Sequence, residues 1–201
     1  PGQTLLQIRF EQALVREKPP AQSVVNAFSG RTPVTDDGVV LLAQAYLDLG
    51  RKKDAAQVVS TYWREERFGS DSERTLRGKF SNLLTAADYK TRSDRLLYEE
   101  QISAGVRNAA FLNKSEQALA AAVAAVSARK NITGALNAVP SAKQSDPLYL
   151  FAKHQYLRRA EKYDEAAKLM LAAPSDPAKL DGDAWWVERR ILSREFLDKG
   201  D

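Results

Sequence analysis

Tyr46-Leu47-Asp48-Leu49-Gly50-Arg51-Lys52-Lys53-Asp54-Ala55-Ala56 closes one apolar-periodic segment and opens another. Upstream of it, Val39, Leu42, Tyr46 and Leu49 share one helical face, and Thr35 or Asp36 is placed to cap the start. Downstream, residues 54–67 return with Ala55, Val58, Val59, Tyr62 and Trp63. The same order of residue types recurs at Tyr156-Leu157-Arg158-Arg159-Ala160-Glu161-Lys162-Tyr163-Asp164-Glu165-Ala166. Its first half recurs again at Phe196-Leu197-Asp198-Lys199-Gly200-Asp201. The shared form is an aromatic-Leu pair near a helix end, a small residue in the turn, then Asp and Ala positions that open the next helix. Small residues let two antiparallel helices approach closely, which is the logic of tetratricopeptide-type repeats. The offsets between copies are unequal, so the array is degenerate in length. The expected fold is all-α: a right-handed α-superhelix (solenoid) of tetratricopeptide-like hairpins over residues 35–201. Helices and a linker over 1–34 precede it.

Outward from that hairpin the pattern stays helical. Residues 4–15 and 21–28 read as two short helices separated by Lys18-Pro19-Pro20. Ser70-Asp71-Ser72-Glu73 fits a capping box, opening a helix to about residue 84. A helix from 85 to about 103 follows, then short ones near 106–112, 115–129 and 133–139. Asp146-Pro147 reads as an N-cap followed by proline at the first helical position, opening 148–159. Residues 163–172 return, and Pro174-Ser175-Asp176-Pro177 separates them from a final helix. No segment shows the period-two alternation of a half-buried strand.

Composition narrows the classes of function. The chain has 201 residues, 44% hydrophobic and 28% charged, as in a globular protein. It has no cysteine, which removes disulfides, thiolate metal sites and Cys nucleophiles. The formal net charge of +4 is spread without a basic block or tail, so nucleic acid is not indicated. No apolar run approaches the length of a membrane span. Gly-rich phosphate loops, HExxH, GxSxG and EF-hand patterns are absent, and neither a metal nor a cofactor is expected.

The final stretch carries the most distinctive residues. Asp183 is placed as its N-cap, and Trp185, Leu192 and Phe196 share a face, widened by Trp186, Ile191 and Leu197. Lys199-Gly200 is the stop signal. A helix with two tryptophans and a Gly turn suits packing against a following helix, so the chain is expected to be a piece of a longer protein, truncated at its C-terminal end. At Trp185-Trp186-x-Glu188-Arg189-Arg190, then Arg194, Phe196-Leu197 and Gly200-Asp201, the sequence resembles the superhelical domain of the soluble lytic murein transglycosylases. Trp63-Arg64, Phe80, Leu83-Leu84-Thr85, Asp88 and Arg92-x-Asp94-Arg95-Leu96-Leu97 resemble the central segment of the same family. Family members often have His after the first of those Asp residues, where this chain has Tyr89. Tyr156-Leu157-Arg158-Arg159, Asp164-Glu165-Ala166 and Pro174 resemble the hairpin before the double-Trp helix. The likeness covers about residues 40–201.

That resemblance implies a periplasmic parent enzyme acting on peptidoglycan. It would cleave MurNAc-GlcNAc β-1,4 bonds without water, leaving a 1,6-anhydro product, with one catalytic Glu in a lysozyme-like domain C-terminal to the superhelix. The Glu-Ser pair and Gly-Leu-Met-Gln stretch that surround that Glu are absent, so no catalytic residue is carried onto this chain. The expected partners are glycan strands, touching the scaffold weakly, and the catalytic domain of the same parent. The alternative is a helical-repeat adaptor that binds a protein in its concave groove.

The family-like residues are read mainly as structural. Trp185 and Trp186 suit sugar stacking, yet large aromatics at helical spacing are usually core. Glu188, Arg189 and Arg190 suit a stem-peptide carboxylate. Arg189, between Trp185 and Leu192, is expected on the apolar face with an interhelix partner. Arg92, Asp94 and Arg95 are expected to pair on or between helices. His154, the single histidine, has no nucleophile or ligand cluster at useful spacing and is expected to be a solvated helix residue. The adjacent pairs Glu65-Glu66 and Glu99-Glu100 diverge around a helix and do not form the facing carboxylates of a glycosidase.

Overall fold

The computed structural model describes residues 2–66, 68–174 and 181–199, and every regular element among them is helical. The helices are α1 (Gly2–Glu17), α2 (Ala21–Ala27), α3 (Asp36–Asp48), α4 (Lys52–Glu65), α5 (Ser70–Phe80) and α6 (Ala86–Tyr98). They continue as α7 (Ile102–Ala109), α8 (Lys114–Ala128), α9 (Ile132–Asn137), a 3-10 turn (Ser141–Lys143), α10 (Pro147–Arg159), α11 (Tyr163–Ala172) and α12 (Gly182–Lys199). The contacts divide the chain into two compact units, Pro1–Asp88 and Tyr89–Asp201. The boundary drawn from sequence at 34/35 falls inside the first unit. There the buried Glu11 of α1 accepts from the backbone N–H of Val34 at 2.8 Å and of Thr35 at 2.9 Å, tying α1 to the start of α3.

The repeat read from Tyr46 and Tyr156 is a hairpin, and among the described residues three helix ends combine its turn with a buried small residue beyond; α8 ends in the same turn at Arg129 (φ 55°) without one. Helix α3 ends with Arg51 N–H bonded to Tyr46 O at 2.8 Å and Gly50 N–H to Leu47 O at 2.9 Å. That pair of bonds is a Schellman motif, in which one residue adopts left-handed backbone and the last carbonyls are satisfied. Helix α6 ends the same way at Gln101 and Glu100, and α10 at Lys162 and Glu161. The left-handed residues are Gly50 (φ 73°), Glu100 (φ 58°) and Glu161 (φ 60°). Five residues past each left-handed position a small residue is buried: Ala55, Gly105 and Ala166. A Cβ on Gly105 would lie 2.6 Å from Leu97 Cγ, so close approach of α7 to α6 requires glycine there.

This register corrects the sequence alignment by one residue at the turn. Gly50 corresponds to Glu161, not to Ala160, because the hydrogen-bond pattern at a helix end selects the left-handed position, whatever its side-chain size. The helix expected to run from 85 to 103 stops at Tyr98 for the same reason, and its successor begins at Ile102 instead of near 106. The third expected copy ends at Gly200-Asp201, outside the described residues.

Local signals fared unevenly. Thr35 caps α3, accepting from Gly38 N–H at 3.0 Å, and Asp146 caps α10, accepting from Leu148 N–H at 3.0 Å. The expected capping box does not form. Ser70 lies inside α5, whose N-cap is Gly69, and Glu73 is buried beside Arg77. At α12 the cap is Asp181, which accepts from Ala184 N–H at 2.8 Å, so Asp183 is an exposed first-turn residue.

In the first unit, Val24, Phe28, Leu42 and Ala45 form a core with Leu14 and Tyr46 against it. In the second, Leu97, Leu119, Val123, Val126, Leu148 and Ala152 form one core, and Leu157, Ala166 and Leu192 form another with Phe196.

Candidate functional site

The family-like residues of α12 meet α10 at one buried carboxylate. Trp185, Glu188 and Leu192 follow the i, i+3, i+7 spacing of a single face, and all three are buried. On α10, His154, Gln155 and Arg158 face the same carboxylate. Arg158 donates from Nε to Glu188 Oε2 at 2.6 Å and from Nη2 to Oε1 at 3.1 Å, the two-pronged geometry that suits guanidinium and carboxylate. Gln155 Nε2 donates to Oε1 at 3.0 Å, and His154 Nε2 lies 3.3 Å from Oε2. Burial alone would push the Glu188 carboxyl up. The bonds from His154, Arg158 and Gln155 outweigh it and hold the group at about 2. A general acid for glycoside cleavage needs the opposite shift and an open face. Glu188 is a permanently charged brace between two helices.

His154 is fully buried, which overturns its reading as a solvated residue. Its Nδ1 donates to Ala166 O at 3.1 Å, reaching the small residue of the returning helix. Ser93 occupies the matching place in the α6–α7 hairpin, where its hydroxyl donates to Gly105 O at 3.0 Å. No Ser, Cys or ligand cluster was needed to give the histidine a task. The missed signal was its position, twelve residues before a buried Ala.

Trp185 sits in the core, 5.4 Å from Phe151 ring to ring in a T-shaped contact, and Tyr98 meets Phe151 in another at 5.0 Å. Trp186 does not widen that face. It is 63% exposed, Leu197 is 71% exposed, and Arg189 and Arg190 are also exposed. The Arg189 expectation fails because Glu188, on the other flank of Trp185, turns toward α10 and takes the interior place.

Arg92, Asp94 and Arg95 separate likewise. Arg92 is buried. Arg95 is 3.9 Å from Glu99 on its own helix. Asp94 joins a five-membered ionic cluster. Lys90 contacts Asp94, and it lies 3.4 Å from Glu116 and 3.6 Å from Asp146; Lys143 contacts Glu116 and lies 3.3 Å from Asp146. Burial pushes the Asp94 carboxyl up, Lys90 pulls it down, and Asp146 and Glu116 add to the rise, leaving it at about 6. A cleft of about 320 Å³ lined by Asp94, Tyr98 and Asp146 opens beside it. The two lysines answer the carboxylates from separate elements, and the arrangement clasps α6, α8, the 3-10 turn and the start of α10. Sequence reading found Asp146 only as a cap and did not find Lys90, Glu116 or Lys143, which lie far apart in the chain.

In the first unit, Asp88 is buried and accepts from Ser60 Oγ at 2.5 Å, Thr85 N–H at 2.7 Å and Arg64 Nε at 2.5 Å. Burial opposes ionisation, but these donors keep its carboxyl below the ordinary range. The family-like Arg64, Thr85 and Asp88 thus form another internal tie. A cleft of about 660 Å³ there is lined by Gln22, Asn26, Tyr46, Arg51, Gln57 and Thr61 and brings no acid-base pair together.

Among the described residues no group of three or more His, Cys, Asp or Glu side chains is placed to hold a metal ion. No helix among them is long and apolar enough to cross a membrane. The chain matches no known family model, and no curated protein or solved structure matches it either.

Proposed function

We propose that this chain is a non-catalytic scaffold segment of a periplasmic lytic transglycosylase. Its hairpins would stack into a superhelix that presents glycan strands to a lysozyme-like domain of the parent protein, where MurNAc-GlcNAc bonds are cleaved to the 1,6-anhydro product. One observation carries the reading. Of the residues by which the sequence resembles that family, Trp185, Glu188 and Asp88 are buried and join helices, Glu188 to Arg158 and Asp88 to Arg64, which reaches it from the surface. Residues held for that purpose fit a scaffold whose architecture is the shared trait, and they leave the chemistry to another domain. The three hairpins with a common turn and a common small residue support stacking of like units.

The test uses the chain as it stands. Incubated with purified sacculi, it should co-sediment in a salt-sensitive manner and release no anhydro-muropeptide. Release of anhydro-muropeptide would show that the chain is itself catalytic. Absence of co-sedimentation at every ionic strength would remove the glycan platform and leave the adaptor reading.

A further inference from the structure

Helix α3 packs against both α2 and α4, and the three helices bound the cleft of about 660 Å³ in the first unit. Each of them gives the lining two residues one turn apart: Gln22 and Asn26 from α2, Leu42 and Tyr46 from α3, Gln57 and Thr61 from α4. The α2 and α4 rows are polar walls. The α3 row is the floor, with Leu42 buried and Tyr46 half-buried. In each wall one side chain orients the other. Gln22 Nε2 donates to Asn26 Oδ1 at 2.9 Å, and Gln57 Nε2 donates to Thr61 Oγ1 at 3.0 Å. Each bridge leaves an amide oxygen and a donor, the Asn26 Nδ2 group or the Thr61 hydroxyl, with no partner among the described residues. No carboxylate lines the cleft. Arg51 lies over the Tyr46 ring at 4.6 Å and is balanced by Asp54, which accepts from its Nε at 2.8 Å. Arg31 lies over Phe10 at 5.1 Å and forms no ion pair among the described residues, so it is the uncompensated charge of the lining.

An extended peptide meets all of these features. Residues one turn apart on a helix are about 6 Å apart along its axis, and alternate residues of an extended chain are about 6.6 Å apart, so the rows and a strand nearly keep step. The edges of an extended chain offer N–H and C=O groups sideways, where each wall holds an unused acceptor and an unused donor. Its side chains point alternately down to the apolar floor and up to solvent. A sugar would find no open ring to stack on, because Tyr46 is covered by Arg51 and Phe28 is buried edge-on to Phe10 at 6.0 Å. One uncompensated cation is too few for a nucleic-acid backbone. We infer that this cleft binds an extended segment of a partner protein in which apolar and acidic residues alternate. Its main chain is held by Asn26 and Gln57, its apolar side chains rest on Leu42 and Tyr46, and a carboxylate meets Arg31. None of the residues by which the sequence resembles the transglycosylases lines the cleft, so this partner is bound independently of glycan.

The probe is a fluorescein-labelled peptide of alternating leucine and aspartate, read by anisotropy against the intact chain. It should bind, and less tightly as salt rises. Methylating its backbone nitrogens should abolish binding, and exchanging its aspartates for lysines should weaken binding at least about ten-fold. Asn26→Ala and Gln57→Ala remove exposed side chains, so each should leave thermal stability unchanged and weaken binding about five-fold, as the loss of one or two hydrogen bonds does. Arg31→Glu should reverse the preference between the aspartate and lysine peptides. Failure of the aspartate peptide to bind would overturn this inference, as would binding that N-methylation or both amide substitutions leave intact. Neither result bears on co-sedimentation with sacculi, which judges the proposed function separately. Displacement of the peptide by soluble glycan strands or free stem peptides at equal concentration would assign the cleft to peptidoglycan and overturn the partner-protein assignment.

Discussion

His154 Nδ1 lies 3.1 Å from the carbonyl oxygen of Ala166, twelve residues away on the returning helix. Its Nε2 lies 3.3 Å from Glu188 on α12, so one imidazole spans a hairpin and joins it to the next helix. His154→Ala should therefore loosen both α11 and α12 in hydrogen exchange, with protection lost at Ala166 and at Glu188 alike. His154→Gln, which can reach only one of the two partners, should restore one helix and not the other.

Removing one member of the Glu188 pair leaves a buried charge. Arg158→Ala should destabilise the second unit by about 3–5 kcal/mol in chemical denaturation. Replacing both residues, as R158M/E188L, should cost much less than Arg158→Ala alone. A double variant as unstable as the sum of the singles would show no coupling between the two residues and would overturn the brace.

The two tryptophans should respond oppositely. Trp185→Ala empties a site packed by Phe151 and His154 and should cost about 3–5 kcal/mol. Trp186→Ala removes an exposed ring and should change stability by less than about 0.5 kcal/mol. Thermal unfolding of the two variants side by side checks the contrast.

Left-handed backbone at Glu100 and Glu161 is costly for a residue with a Cβ, so E100G and E161G should each stabilise the fold, by about 1 kcal/mol. Gly105→Ala should destabilise it, because the new methyl meets Leu97. At all three positions glycine is the better residue in spite of its low helix propensity, at 100 and 161 for its left-handed backbone and at 105 for the space it leaves.

Stability should depend on pH in two steps of opposite sign. Glu188 is held at about 2, below its ordinary value of 4.5, so it contributes stability above pH 4.5 that is lost as pH falls toward 2. Asp94 is raised from 3.8 to about 6, so its contribution is full below pH 3.8 and is lost as pH rises through 6. The second unit should be most stable near pH 4–5. Asp94→Asn should flatten the limb between pH 4 and 6, and Glu188→Gln should flatten the limb below 4.5, in melting curves recorded across that range.

The sequence disclosed what is local. Apolar spacing located most helices, and Thr35 and Asp146 were legible as caps because each acts within three residues. Trp185, Leu192 and Phe196 were legible as a packed face because helical period alone links them. What depended on a second element was not legible. Nothing local to α12 says whether Glu188 or Arg189, on either flank of Trp185, turns inward; the decision is made by Arg158 and His154 on α10. The end of α6 was missed because its left-handed residue is Glu100, where the sequence offers no glycine to mark it. His154 was misread because a lone histidine announces chemistry or nothing, whereas here it replaces a serine in a backbone-bonding role.

The turn that ends α3, α6 and α10 is closed by main-chain hydrogen bonds, and the one residue each copy keeps small lies five positions beyond its left-handed residue. Such a joint places almost no demand on the residues at its surface. A lineage could duplicate the hairpin, lengthen the segments between copies and rewrite every exposed position while the joint continued to close. The unequal spacing of the copies, and a left-handed position filled by glycine at 50 and by glutamate at 100 and 161, show how little the joint asks of the residues around it.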